Sequence, residues 1–231
     1  MFRYCAAYYL WQWLTMDRAF VKIFQQEVTE KALLDLLSKY EVIRTVPGKG
    51  AGRLKEFTKA LNSKSAQAIQ ADEAANLVHD LFCCLRGRYG RQFLSAITKA
   101  AWMRWRHPIA IYDKRARRAL VKQRKILMEN EFKDPENNYN AYHKLWMAFY
   151  DRCDTQNGLN DASGWLSNSH YAQSVVERGG ATQEEIAQWV NEDWFRNRII
   201  DMLLFHLGDS DGRVGLHPAE AARFLGPNEQ L

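Results

Sequence analysis

Apolar residues recur at helical spacing along almost the whole chain, and no stretch alternates apolar and polar residues as a half-buried strand would. That period admits an all-α fold and little else. Candidate helices run over Arg3–Gln25, Glu30–Lys39, Gly52–Leu61, Asp72–Leu85, Arg91–Trp105, Asp113–Met128, Tyr139–Cys153, Ala162–Glu177, Gln183–His206 and Pro218–Leu225. Thr182, three residues before Glu185, forms a capping box opening the Gln183 helix, and Gly208 falls where that helix should stop. Pro47-Gly48, Asn157-Gly158, Gly179-Gly180 and Asp211-Gly212 punctuate the expected loops. There is no internal repeat. The expectation is one domain over residues 1–231, with Asp134-Pro-Glu-Asn-Asn138 as the best internal boundary between two helical lobes.

A chain of 231 residues can bury a substantial core. With 47% hydrophobic and 26% charged residues it is not a disordered polyelectrolyte. The eight Trp serve a core or a stacking platform equally well, so their number decides nothing. Cys5, Cys83, Cys84 and Cys153 contain no C-x-x-C, which fits buried thiols in a reduced, cytoplasmic setting. The aromatic N-terminal stretch lacks an A-x-A site and runs on into Asp17 and Lys22, unlike a secretory signal. No run reaches the ~18 apolar residues of a membrane span.

Charge is more informative. The net charge of +5 is modest, but Lys99–Lys125 holds ten Lys/Arg against one acid, Asp113. That window is +9 and the remainder of the chain is −4. A solvated helix face usually mixes both signs. A one-sign band on an acidic body is the footprint of a polyanion binder, which makes nucleic acid the expected partner.

Within the band, Leu94, Ile97, Ala101 and Trp105 make one apolar stripe, leaving Ser95, Lys99, Trp102, Met103 and Arg106 on the other side. His107-Pro108 ends that helix. Ile109-Ala-Ile-Tyr112 is a short apolar crossing, and Asp113 is placed to cap a helix whose apolar line is Ala116, Ala119, Leu120 and Leu127. Taken singly, Asp113 reads as a helix cap, Lys99 as an ordinary surface lysine, and Trp102 and Trp105 as core.

Together, a Lys on a helix, a break, and Ile111-Tyr112-Asp113-Lys114-Arg115 opening a basic helix resemble the catalytic segment of helix-hairpin-helix DNA glycosylases, the 8-oxoguanine glycosylase branch in particular. The likeness covers about 25 residues. It implies a two-lobed helical enzyme with a degenerate hairpin that flips a damaged or modified base and excises it from DNA, in repair or in anti-phage defence. It also implies Asp113 as the essential carboxylate and Lys99 as a nucleophile able to add strand nicking. Base flipping needs a stacking pocket, for which Trp102 and Trp105 are the candidates. Phosphate contacts would fall to Arg104, Arg106, Lys114, Arg115, Arg117, Arg118 and Lys122. The nearest match to the family's Leu-Pro-Gly-Val-Gly hairpin is Val46-Pro-Gly-Lys-Gly50, about fifty residues before Lys99. There Lys49 and Arg53 would assist backbone N–H groups in holding phosphate. Directly before Lys99 stands Gly87-Arg-Tyr-Gly90, without the proline.

Other chemistries lack their signatures. The six histidines show no H-E-x-x-H spacing, no G-x-S-x-G anchors a serine triad, and no phosphate-binding loop follows a strand. The acidic loops Cys153–Gly158 and Leu207–Gly212 put no carboxylate at the first position of a calcium loop. No metal, cofactor or obligate protein partner is implied. The rival reading is a non-catalytic nucleic-acid-binding helical domain using the same basic band.

Overall fold

The computed structural model describes residues 1–48, 52–67, 69–90, 93–127 and 138–208, with backbone only at 71–72 and 124–127. Among these residues every regular element is helical. In chain order they are α1 (Phe2–Gln12), a π turn (Trp13–Asp17), α2 (Arg18–Phe24), α3 (Glu30–Lys39), a 3₁₀ turn (Ile43–Thr45), α4 (Lys55–Asn62), α5 (Ala71–Tyr89), α6 (Leu94–Trp105), α7 (Lys114–Leu127), α8 (Tyr139–Tyr150), α9 (Cys153–Asn168), α10 (His170–Glu177), α11 (Gln183–Trp189) and α12 (Asp193–Leu207). The expected helix Pro218–Leu225, the Asp211-Gly212 turn and all but Asn138 of the expected boundary lie outside the described residues. No described helix is long and apolar enough to cross a membrane.

The all-α expectation holds. Its boundaries fail where a break carries no Gly or Pro. The expected helix over 162–177 is two helices: Ser169 ends α9 and caps α10, its Oγ accepting the Ala172 N–H at 3.1 Å and donating to the Leu166 carbonyl at 3.0 Å. The Thr182–Glu185 capping box forms, with reciprocal bonds of 3.1 and 2.9 Å, but its helix stops at Trp189 and α12 starts afresh at Asp193. Conversely, Asn157-Gly158 lies inside α9 rather than in a loop. A Cβ at Gly158 would overlap the Phe2 ring, so glycine is used for close helix contact and not for a turn.

Cα packing separates the described residues into two compact units. The first draws on residues 1–15, 114–127 and 145–208. Here α1 packs on α9 and α12, and α7 packs on α12. Tyr4, Tyr9 and Leu10 are fully enclosed, Trp13 lies 4.4 Å from Trp194, and Ala116, Ala119 and Leu120 of α7 are buried as their spacing predicts. The end of α12 touches α7 so closely that a Cβ at Gly208 would collide with the Arg115 carbonyl. One ionic group is sealed inside: Arg198 bonds Asp201 at 3.0 Å, and Asp201 also accepts the Trp146 indole N–H at 2.9 Å.

The second unit draws on residues 16–113 and 138–144. Its centre is α6, against which α2, α3 and α5 pack. The sequence suggests one apolar stripe for α6, but the helix is buried on both sides: Trp102 and Met103 are as enclosed as Ile97 and Ala101. A central helix has no solvent face, so its polar side chains must find partners inside.

Candidate functional site

Lys99 and Asp113 belong to the same unit, and a hydrogen bond brings their neighbourhoods together. The Tyr112 N–H donates to Thr98 Oγ1 at 3.0 Å, so each candidate residue is one position beyond a fixed point of contact. Asp113 is half-buried and directly precedes the first residue of α7, where a capping carboxylate belongs.

The segment that presents Asp113 is neither helix nor strand, yet it is buried. Its backbone polar groups therefore need partners. The Ile109 N–H donates to the Arg106 carbonyl at 2.8 Å. The Tyr139 hydroxyl both accepts the Ala110 N–H (3.1 Å) and donates to the Ala110 carbonyl (2.9 Å). The Tyr142 hydroxyl donates to the Ile111 carbonyl at 2.8 Å, and His143 Nε2–H to the Pro108 carbonyl at 3.0 Å. Tyr139, Tyr142 and His143 stand at i, i+3 and i+4 on α8, so one helix face staples the crossing from behind. At the front, Arg106 turns the chain out of α6 at φ 55°, a conformation costly for a residue with a Cβ. Burial pushes the His143 imidazole pKa down, so the ring is a neutral donor; its bond to Pro108 offsets this only in part.

Lys99 is no surface lysine: it is 6% exposed. Its ammonium donates to Ser95 Oγ at 2.8 Å, one helical turn back, and lies 5.8 Å from the centre of the Tyr40 ring. Tyr40 in turn donates its hydroxyl to Asp17, a fully enclosed carboxylate, at 2.8 Å. Ser95 of α6 and Tyr40 at the end of α3 thus meet the candidate lysine, and Asp17 of the π turn holds the Tyr40 hydroxyl. Asp17 left one signal in the sequence, as the lone acid of the N-terminal helix pattern. Tyr40 left none. The α8 staple was readable only as three polar-tipped rings at helical spacing.

The remaining candidates divide. Arg104 is not on a phosphate-facing surface. It is 6% exposed, and its guanidinium donates to the carbonyls of Phe24 (2.9 Å), Gln26 (2.9 Å) and Lys64 (2.9 Å). Trp102 is fully enclosed, and Trp105 is buried with its indole N–H on the Ser65 carbonyl at 2.6 Å. Neither leaves a ring face for an extruded base, so the expected stacking platform gives way to core packing. Arg106 is half-buried. Arg53 bonds the Gly48 carbonyl at 3.0 Å, and Lys49 lies outside the described residues. In the other unit, Lys114 and Lys122 are exposed, while Arg115, Arg117 and Arg118 are half-buried, Arg115 over the Phe205 ring at 4.5 Å.

Immediately before Lys99, α5 ends at Gly90, whose φ of 79° and ψ of 177° suit only glycine, and α6 begins at Leu94. Gly87 and Tyr89 are still helical, so α5 runs through all but the last residue of the expected Gly87–Gly90 turn. Two open grooves, of about 580 and 590 Å³, share Glu27 and Asn62; neither is lined by Lys99 or Asp113. Among the described residues no group of three or more His, Cys, Asp or Glu side chains is placed to hold a metal ion. No family model, characterised protein or solved structure matches the chain.

Proposed function

We propose that this chain is a DNA glycosylase that extrudes a damaged or modified base and cleaves its N-glycosidic bond, with Asp113 as the essential carboxylate and Lys99 as the candidate nucleophile. The observation that carries this reading is the Thr98–Tyr112 hydrogen bond, which pins the helix bearing Lys99 to the stapled segment that ends in Asp113. Cleavage places positive charge on the sugar, and a carboxylate fixed in advance stabilises that charge without reorganising. Water attacking C1′ displaces the base and leaves an abasic sugar; a free amine attacking the same carbon would give a Schiff base and open the way to strand nicking. The consecutive helices α5 and α6, the second of which carries Lys99, add support. So do the exposed Lys114 and Lys122 that follow Asp113 in the chain, as side chains able to meet phosphate.

A second reading, a non-catalytic nucleic-acid-binding domain, is favoured by one observation: Lys99 already has a hydrogen-bond partner in Ser95, as a purely structural lysine would. The two readings separate in one assay. Wild-type, Asp113→Asn and Lys99→Ala proteins are incubated with DNA containing 8-oxoguanine, uracil, alkylated bases or glucosylated hydroxymethylcytosine, and alkali-labile sites are counted. The glycosylase reading expects abasic sites from wild type and none from Asp113→Asn, with the responding base naming the substrate. Binding to all DNAs with no base release by any protein would leave only the binding domain.

A further inference from the structure

We infer that His79 and Cys83 on α5 form half of a binding site for a borderline divalent cation of the zinc class, completed by the same two residues of a second copy of the chain. The pair lies one helical turn apart, and Cys83 Sγ stands 3.5 Å from His79 Nε2. A tetrahedral ion with metal–sulfur bonds of about 2.3 Å and metal–nitrogen bonds of about 2.0–2.1 Å sets its sulfur and nitrogen ligands roughly 3.5 Å apart. The side chains therefore already hold the spacing of two ligands on one ion. Of the four thiols expected to be buried only Cys5 is; Cys83, Cys84 and Cys153 are exposed, as is His79, which leaves the other half of a coordination sphere open to solvent.

The chemistry favours completion by a second copy. Structural sites for this ion close with four protein ligands. Among the described residues no group of three such side chains is placed to hold an ion, so the described part of one chain supplies only the pair. Two copies related by a two-fold axis supply two sulfurs and two nitrogens from the same surface, as an isologous contact requires. The charge balances as well: each Cys83 thiol releases one proton on binding, and the two thiolates neutralise the 2+ ion while both imidazoles stay neutral. The mixed spacing escapes a search for C-x-x-C or paired histidines. Exposed Asp80 and Cys84 flank the pair at the next positions, so Cys84 provides the control.

The probe is Co²⁺ added to the reduced, full-length protein, read by the thiolate-to-cobalt charge-transfer band and by sedimentation. The expected result is a band that saturates at one cobalt per two chains, with a doubling of mass reversed by chelator. Cys83→Ser and His79→Ala should abolish both signals, and Cys84→Ser should keep both. Circular dichroism of the variants should match wild type, since the replaced side chains are exposed. No band, a band that survives Cys83→Ser or vanishes in Cys84→Ser, or saturation at one cobalt per chain without a change in mass would overturn the site.

Discussion

Helices α6 and α7 share one basic band in the sequence and put it to opposite uses. In α6 the cations Lys99 and Arg104 are inside, bonded to a serine hydroxyl and to three carbonyls. In α7 the alanines and Leu120 are inside, while Lys114 and Lys122 face solvent. A run of like charge therefore does not announce a single surface. What sorts the cations is the company each helix keeps. A helix packed from several sides must satisfy its charges internally, whereas an amphipathic helix with one apolar line leaves them out.

The largest expected effect tests the buried side of that contrast. Arg104→Met removes a guanidinium that satisfies Phe24, Gln26 and Lys64 together and leaves those carbonyls without it. Urea unfolding should show a loss on the order of 4 kcal/mol. Lys122→Gln on α7 should stay within about 0.5 kcal/mol. Equal effects would erase the distinction between the helices.

Next comes the exposed side. If α7 meets phosphate, Lys114→Gln and Lys122→Gln should each flatten the slope of log affinity against log salt by about 0.9, since each removes one counterion-releasing contact. A conservative change at the buried end of the band, Lys99→Met, should leave that slope alone. Measured by DNA retardation across a salt series, a slope that responds to Lys99 and not to α7 would reverse the assignment.

How much of this was legible beforehand follows the same division. The period of α7, its start after Asp113 and its buried alanines were all readable, because an amphipathic helix writes its environment into its spacing. The role of α6 was not. Its residues between Leu94 and Trp105 allow a one-sided stripe, and only the packing of α2, α3 and α5 makes Trp102 and Arg104 core residues. The surroundings of Lys99 beyond its own helix were hidden for a related reason. Tyr40 and Asp17 lie far from it in sequence, and single-sequence spacing reports only neighbours on one element. The helix breaks at Ser169 and Glu192 were missed because neither carries glycine or proline.

Between the two helices in the chain comes the crossing that carries Asp113, and its staple gives a mid-sized effect. Tyr142→Phe keeps the ring against Tyr112 but deletes the bond to the Ile111 carbonyl. A destabilisation of about 1 kcal/mol is expected. If the proposed carboxylate depends on being held in place, base excision should fall by more than this loss of stability explains. The stability change is read by urea unfolding and the excision by single-turnover assay; a variant losing stability but no activity would make the staple purely structural.

The smallest effect concerns pH. His143 is held neutral, its pKa lowered first by burial and further by His107 nearby, against the upward pull of its bond to Pro108. The unfolded chain, with an ordinary histidine near 6.5, binds the proton more readily than the folded one. Folding stability from this group is therefore fully present above that value and is lost as pH falls through the unfolded and then the folded pKa, with a slope of at most about 1.4 kcal/mol per pH unit. His143→Gln has an amide able to donate to Pro108 but no titrating ring, so it should flatten the acid limb between pH 6.5 and 5 while leaving stability at pH 8 nearly unchanged. Denaturant midpoints at the two ends of that range decide it. An unaltered acid limb would mean that the proton enters elsewhere and that the Pro108 carbonyl is secured without a neutral ring.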